Sequence, residues 1–141
     1  MKLSLHSVRT VHSALQSLDG YERVIKEGAG ERVVHVAYRF DGRTRVKIAL
    51  ALGAMESHLG ALQTTANGLI REISEGQERI DAGNAEQVAR YNAEMNAALE
   101  HEVACELDPL TFDELLRDDN PIPGSVLAAL SPLIAPEAKA A

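Results

Sequence analysis

The stretch "IALALGAMESHLGALQTTANGLIREI", residues 48–73, decides the fold. Its apolar residues are separated by four and three positions in turn, which is the heptad spacing of a helix that buries one side. We predict a helix over 43–74, about 45 Å long at about 1.5 Å per residue. Its apolar seam is either core within the chain or a contact with a second copy; the seam residues are Ile48, Leu52, Met55, Leu59, Leu62, Ala66, Leu69 and Ile73.

A second stripe on the same helix carries small residues. Glycine in a helix interior costs about 1 kcal/mol relative to alanine, so three of them at helical spacing need a reason. We therefore expect another backbone to pass close to this stripe, which consists of Gly53, Ser57, Gly60, Thr64 and Gly68.

The polar segment "SEGQERIDAGN", residues 74–84, ends the long helix. Asn84 and Gln87 then resemble a capping box, and apolar residues recur at helical spacing to about residue 102. We predict a second helix over 84–102 and a long antiparallel helical hairpin. The second arm is shorter than the first, so part of the long helix must contact something else.

The flanking segments contain short helices and strands. Leu5, Val8, Val11, Leu15 and Leu18 have helical spacing, which predicts a helix over 4–18. Two β-branched runs around "EGAGE" predict a β hairpin over 22–40. In its second strand, one face is expected to carry Val34, Val36, Tyr38 and Phe40, and the other Val33, His35, Ala37 and Arg39.

The C-terminal part is predicted to hold a strand and short helices over 103–135. The strand, in "VACELDPL", is expected to join the earlier hairpin, and Thr111 with Glu114 forms a capping box for a short helix. We predict a mainly helical α+β fold, a single domain over 1–135 and a flexible tail over 136–141.

Composition limits the classes of protein that the chain can represent. The chain has 141 residues, a formal net charge of −7 and 4% aromatic residues. Residues 1–50 carry a charge of +4 and residues 51–141 a charge of −11, which sum to −7. The single cysteine, Cys105, excludes a disulfide within the chain, and no apolar run reaches membrane-spanning length. We expect the protein in the cytoplasm when it is made.

The basic stretch "YRFDGRTRVK", residues 38–47, is unusual in an acidic chain. Four cations near two aromatic rings can hold phosphates of a nucleic acid, contact an acidic protein, or lie solvated around a turn. A protein contact is favoured over nucleic acid because the chain as a whole is acidic. The predicted partner-binding cations are Arg39, Arg43, Arg45 and Lys47.

The closing segment "PIPGSVLAALSPLI", residues 121–134, forms a compact apolar element. This element either caps the helical hairpin or docks into a neighbouring subunit. Its candidate contact residues are Ile122, Val126, Leu127, Leu130, Leu133 and Ile134.

Catalytic and metal-binding patterns are weak. His101 and Cys105 lie four residues apart, but a structural zinc site needs a second close pair of ligands, which the sequence lacks. No nucleophile motif or phosphate-binding glycine loop is present. We therefore predict no enzyme activity, no metal and no cofactor.

Two motifs carry a family resemblance over nearly the whole chain. Tyr38, Arg39, Phe40, Gly42 and Arg43 match an aromatic "Y-K/R-F-x-G-K/R" pattern before a long helix, and residues 122–134 match an "IP-x-SVLAAL-x-PLI" ending. The chain thus resembles a family of small proteins from tailed bacteriophages and prophages, known only as a domain of unknown function. The resemblance implies no catalytic residues.

The resemblance implies a small virion- or tail-associated structural component, which would enter the virion, or an assembly factor, in either case docking to virion or assembly proteins. The uneven charge and the unmatched length of the long helix additionally predict self-association. The alternative is an early inhibitor of a host protein that handles nucleic acid or defends the cell, acting through the eight carboxylates of residues 100–119. Direct nucleic-acid binding is a third hypothesis.

Overall fold

A computed structural model of the protein describes residues 2–135. It is 57% helical, with one long helix and two small antiparallel sheets. The predicted class, mainly helical α+β, is confirmed. The tail predicted over 136–141 lies outside the described residues.

The elements follow one another with short connections. The strands are β1 (Lys2–Ser4), β2 (Tyr21–Glu27), β3 (Gly30–Val36) and β4 (Glu102–Ala104). The helices are α1 (Leu5–Gln16), α2 (Gly42–Ile73), α3 (Ala85–Glu100), α4 (Phe112–Leu116) and α5 (Gly124–Ala129), with 3-10 turns at Ser17–Asp19 and Ser131–Leu133.

The span predicted as one domain divides into two compact units. The first unit comprises Met1–Arg9 and Ala54–Glu106, and the second comprises Thr10–Gly53 and Leu107–Ala141. The boundaries fall within α1 and α2, so each of these helices contributes residues to both units.

The first unit contains the helical hairpin. α2 ends where Glu75 and Gly76 adopt positive φ values of 57° and 92°, and the Gly76 N–H donates to the carbonyl of Arg71 at 2.7 Å. This is the helix ending for which glycine is favoured. α3 begins at the Asn84 cap, whose side chain accepts from the Gln87 N–H at 3.1 Å, as the sequence predicts.

The seam of α2 is directed inward along its length. Met55, Leu62, Ala66 and Ile73 are buried, and the seam residues between them are half-buried. In the first unit, Leu3, Leu5 and Val8 complete the apolar core, whereas α3 contributes no buried residue. These positions favour the interpretation of the seam as core within the chain.

The short strand near residue 103 has a different partner from the predicted one. β4 pairs antiparallel with β1, with Leu3 opposite Val103, and the Leu5 N–H donates to the carbonyl of His101 at 2.9 Å. The prediction that this strand joins the β2–β3 hairpin is wrong. β1 was missed because three residues carry too little pattern to predict a strand.

The glycine stripe of α2 is open. A Cβ placed on Gly53, Gly60 or Gly68 meets no atom within 4 Å among the residues that the structure describes. The prediction that another backbone of the same chain passes close to this stripe is therefore wrong.

In the second unit, the β2–β3 hairpin leads into the start of α2. The predicted two faces are found: Tyr38 is buried, Val34, Val36 and Phe40 are half-buried, and the alternate residues are exposed. β3 ends at Val36 rather than at residue 40. Beyond it, the Asn120 side chain binds the backbone of Arg39 and replaces a strand partner.

Gly20 joins the 3-10 turn after α1 to β2 within the second unit. A Cβ on this residue would overlap the carbonyl oxygen of Val36 and would lie 2.6 Å from Nε2 of His35. Any side chain here would collide with the backbone of β3, so the position requires glycine.

Within residues 2–135, none of the helices combines the length and the apolar character that crossing a bilayer requires.

Candidate functional site

The basic residues of segment 38–47 are positioned by the cap of α2. The Asp41 carboxylate accepts from the Thr44 N–H at 2.7 Å, and the Asp41 carbonyl accepts from the Arg45 N–H at 3.0 Å. The bonds from Thr44 lower the pKa of Asp41, and the charges of Arg117 and Arg43 lower it further. An ionised cap suits the positive end of the helix dipole.

Lys47 is held inside the second unit. Its Nζ lies 3.0 Å from both carboxylate oxygens of Glu114 and 3.3 Å from the carbonyl oxygen of Pro109. The two side chains are only 20% and 13% exposed. This ion pair therefore joins α2 to α4 and leaves the ammonium little capacity for a partner.

Glu114 collects further donors. The hydroxyl of Thr44 donates to it at 3.3 Å and the hydroxyl of Thr111 at 3.2 Å. Burial alone raises the pKa of Glu114, but the hydrogen bonds and charge of Lys47, with the two hydroxyls, outweigh it and lower that pKa below its usual value. The predicted cap at the start of α4 is present, because the Glu114 N–H donates to Thr111 Oγ1 at 3.1 Å.

Arg45 and Arg39 have local backbone roles. Nε of Arg45 donates to the carbonyl of Phe40 at 3.0 Å. The buried Asn120 accepts from the Arg39 N–H at 2.7 Å and donates to the carbonyls of Arg39 and Leu115, each at 2.8 Å. Within residues 2–135, the side chains of Arg39 and Arg43 form no hydrogen bond or ion pair. Of the four predicted partner-binding cations, Lys47 and Arg45 are therefore bound within the chain, whereas the side chains of Arg39 and Arg43 are available to a partner.

A groove runs beside Arg43 on the first turns of α2. It is an open groove of about 460 Å³, lined by Arg43, Val46, Lys47, Leu50, Asp108 and Pro109. Val46 is 57% exposed and Leu50 is 63% exposed. These two residues lie one helical turn apart with their side chains in solvent, so the groove places an exposed aliphatic pair beside charged side chains. We call these six residues the α2 groove.

Sequence reasoning missed Val46 and Leu50 because the stronger heptad seam passes through Ile48 and Leu52. The sequence pattern that could have identified Val46 and Leu50 is their i, i+4 spacing, which places both on the side of the helix opposite the seam. Asp108 and Pro109 carry no local pattern that places them next to α2, since only the tertiary fold brings them there.

The C-terminal element packs within the second unit. The Leu110 N–H donates to the carbonyl of Leu133, and the Ala135 N–H donates to the carbonyl of Leu110, each at 2.8 Å. Three of the six predicted contact residues, Ile122, Leu130 and Leu133, are buried. The other three, Val126, Leu127 and Ile134, are half-buried. These positions favour the intramolecular alternative over docking into a neighbour.

The two candidate metal ligands have different surroundings. His101 ends α3, whereas Cys105 is buried, and burial raises the pKa of its thiol. Within the described residues, no group of three or more His, Cys, Asp or Glu side chains is arranged to hold a metal ion.

The acidic segment 100–119 is partly neutralised. Asp113 pairs with Arg117 at 2.8 Å and Glu114 pairs with Lys47 at 3.0 Å. The other six carboxylates of this segment form no ion pair with the residues that the structure describes.

Comparisons with known proteins give no relative from which a role can be transferred. No protein-family model matches the chain, and no similar protein was found among the curated proteins or the solved structures.

Proposed function

We propose that this protein is a non-enzymatic docking protein whose contact surface is the α2 groove. In the setting that the family resemblance implies, it is a small virion- or tail-associated component of a tailed bacteriophage, or an assembly factor. The observation that carries the docking role is the exposed pair Val46 and Leu50 beside Arg43.

The exposure of its aliphatic side chains supports the α2 groove over the other predicted contact residues. A single exposed aliphatic residue is common on proteins, but two adjacent ones in a groove give a partner an apolar site that water leaves on binding. Within residues 2–135 the guanidinium of Arg43 forms no hydrogen bond or ion pair, although its charge acts on Asp41, so it can pair with a carboxylate at the rim of such a contact. A partner segment that presents an aliphatic side chain and an acidic residue has the matching chemistry.

The test is site-specific photo-crosslinking in particles of the phage that encodes the chain. A photoreactive amino acid replaces Leu50 in the groove or, as a matched control, Glu94 on the exposed side of α3. We expect the Leu50 position to crosslink to one virion or assembly protein, identified by mass spectrometry, and the Glu94 position to give no such product.

Additional charge reversals test the chemistry of the contact. Arg43→Glu is expected to abolish the crosslink from position 50. Leu50→Glu and Arg43→Glu are each expected to abolish the copurification with particles, without loss of helical circular dichroism. The proposal is overturned if the protein is absent from both particles and assembly intermediates, or if crosslinking is equal at both positions.

The alternative function is inhibition of a host protein by the acidic surface. The six carboxylates of residues 100–119 that form no ion pair favour it. This alternative predicts a host protein rather than a virion protein as the crosslinked partner. It also predicts that binding depends on those carboxylates and not on Leu50.

A further inference from the structure

The β2–β3 hairpin is mostly exposed to solvent. Every residue from Glu22 to Val33 is exposed except Ile25, which is half-buried. The sheet has two strands, and no other strand within residues 2–135 pairs with either edge. An isolated two-stranded ribbon is marginally stable in water, and its edges present unpaired backbone groups that can bind another strand.

An apolar pair lies at the centre of one face of this ribbon. Val24 and Val33 are directly opposite each other in the ladder. They are 55% and 59% exposed, although valine usually packs against neighbours on a sheet. On either side of them, Glu22 faces His35 and Lys26 faces Glu31.

The turn determines which backbone groups point outward. Glu27 and Gly30 flank the two-residue turn at Gly28–Ala29, and such a turn is closed by a bond from the Gly30 N–H to the Glu27 carbonyl. Bonded and non-bonded pairs then alternate along an antiparallel ladder. By this count, the residues that direct N–H and C=O groups to the free edge of β2 are Glu22, Val24 and Lys26.

The same three residues are complementary to themselves. If a second β2 lies antiparallel about a two-fold axis at Val24, each Val24 faces its equivalent and each Glu22 faces a Lys26. The outward backbone groups of all three residues are then opposite one another, as a ladder requires. Within the described residues, neither Glu22 nor Lys26 forms an ion pair that this arrangement would have to break.

We propose that a second copy of this chain pairs with the hairpin, β2 against β2, to form a four-stranded antiparallel sheet. This interface is separate from the α2 groove and does not depend on the proposed function. Its centre is a row of four valines, Val24 and Val33 from each copy. On both sides of that row, histidine, glutamate, lysine and glutamate follow one another across the sheet, so each lysine lies between two glutamates.

The β3 edge is the less suitable partner. If two β3 strands paired about a two-fold axis at Val33, Glu31 would lie opposite His35. Nε2 of His35 already lies 3.4 Å from Oδ2 of Asp19 within the chain. The β2 edge instead offers a lysine and a glutamate that form no ion pair with the residues that the structure describes.

The experiment measures molar mass by light scattering over a concentration series. The variants are Glu22→Lys and Lys26→Glu, measured separately and as an equimolar mixture, with Glu94→Lys on α3 as the matched control. One chain has a mass of 15.2 kDa, so a dimer is recognised at twice that value.

We expect the unmodified chain and the control to dimerise with equal affinity. Each single variant should raise the dimer dissociation constant about tenfold or more, because two facing pairs in the dimer become like-charged. The mixture should recover most of the affinity, because each lysine again faces a glutamate in the heterodimer.

A second measurement reads the backbone directly. Amide hydrogen exchange at Val24 should slow as protein concentration rises, because its outward N–H becomes bonded only in the dimer. The proposal is overturned if the unmodified chain stays monomeric, if the folded mixture stays monomeric, or if Glu31→Lys abolishes a dimer that neither β2 variant affects.

Discussion

At the scale of single residues, Glu114 is the acceptor that joins α4 to the start of α2. Its carboxylate receives hydrogen bonds from Lys47, Thr44 and Thr111. Glu114 is half-buried, and replacing a charged acceptor that is largely shielded from water leaves its donors unsatisfied, which costs more than the mean strength of each bond suggests. The stability of the α2 groove therefore depends on this side chain.

We expect Glu114→Gln to lower the free energy of unfolding by about 1–3 kcal/mol at pH 7. The folded pKa of Glu114 lies below the unfolded value, so its stabilisation is complete above the unfolded pKa and is lost as pH falls through the folded pKa. The difference between the variant and the unmodified protein should thus be full above about pH 5 and shrink towards pH 3.

Urea unfolding at several pH values measures this difference, with Glu94→Gln as the control at an exposed site. The difference between the two proteins isolates Glu114 from Asp41, whose pKa is also lowered and which titrates in the same acidic range. An equal loss of stability at pH 3 and pH 7 would contradict the assigned role.

Asn120 is the second residue whose side chain contributes strongly to the free energy of unfolding. Its side chain makes three bonds to the backbone and is 8% exposed. We expect Asn120→Ala to lower the free energy of unfolding by about 2–3 kcal/mol. Asn120→Asp should be worse at pH 7 than at pH 4, because an ionised carboxylate would face the carbonyls of Arg39 and Leu115. Chemical denaturation at pH 4 and pH 7 measures the free energies of unfolding and tests whether Asn120→Asp is more destabilising at pH 7.

Sequence reasoning succeeded for residues whose partners are local. The Asn84 and Thr111 caps were predicted, because each depends on a residue three positions ahead. The ion pair between Lys47 and Glu114 was not predicted, because it joins residues 67 positions apart. Four cations in a row therefore looked like one docking site, whereas the fold makes one of them internal.

At the scale of elements, the glycines of α2 and the glycine before β2 have opposite surroundings. Gly60 lies in the interior of a helix with open space where a Cβ would stand, whereas Gly20 lies against the carbonyl of Val36. Glycine therefore lowers the stability of α2 at position 60, whereas the turn before β2 requires glycine at position 20.

We expect Gly60→Ala to raise the free energy of unfolding by about 0.5–1 kcal/mol, since alanine restricts the unfolded chain and fits the helix. Gly20→Ala should lower it by more than about 1 kcal/mol, because its Cβ would collide with the backbone. Thermal unfolding followed by circular dichroism measures both. A destabilised Gly60→Ala variant would mean that another chain occupies the glycine stripe.

The elements differ in how far sequence predicts them. The long helix, the second helix and the hairpin were found because periodicity is strong over their length. The pairing of β4 was assigned wrongly because its partner, β1, has only three residues. The exposed side of α2 was missed because a dominant seam hides a second, shorter apolar pair on the same helix.

At the scale of the whole molecule, charge decides which partners are favoured. The chain has a net charge of −7, and Lys47, the most buried of the four cations in segment 39–47, is neutralised by Glu114. A nucleic-acid backbone would therefore meet few available cations and a repulsive field.

We expect no binding of single- or double-stranded nucleic acid tighter than about 10⁻⁴ M at physiological salt. Fluorescence anisotropy with labelled oligonucleotides, at low and physiological salt, measures this. Binding that weakens with salt and disappears in a variant with Arg43, Arg45 and Lys47 changed to alanine would restore the nucleic-acid hypothesis.

The pairing of β1 with β4 has a consequence for synthesis of the chain. Leu3 lies opposite Val103, so the two partners are separated by 100 positions in sequence. At about 5–20 residues per second, a ribosome takes at least about 5 s to produce the second strand after the first. During that interval β1 has no native strand partner, and the apolar side chain of Leu3 is available to chaperones. Completion of the first unit is thus timed by translation rather than by local folding.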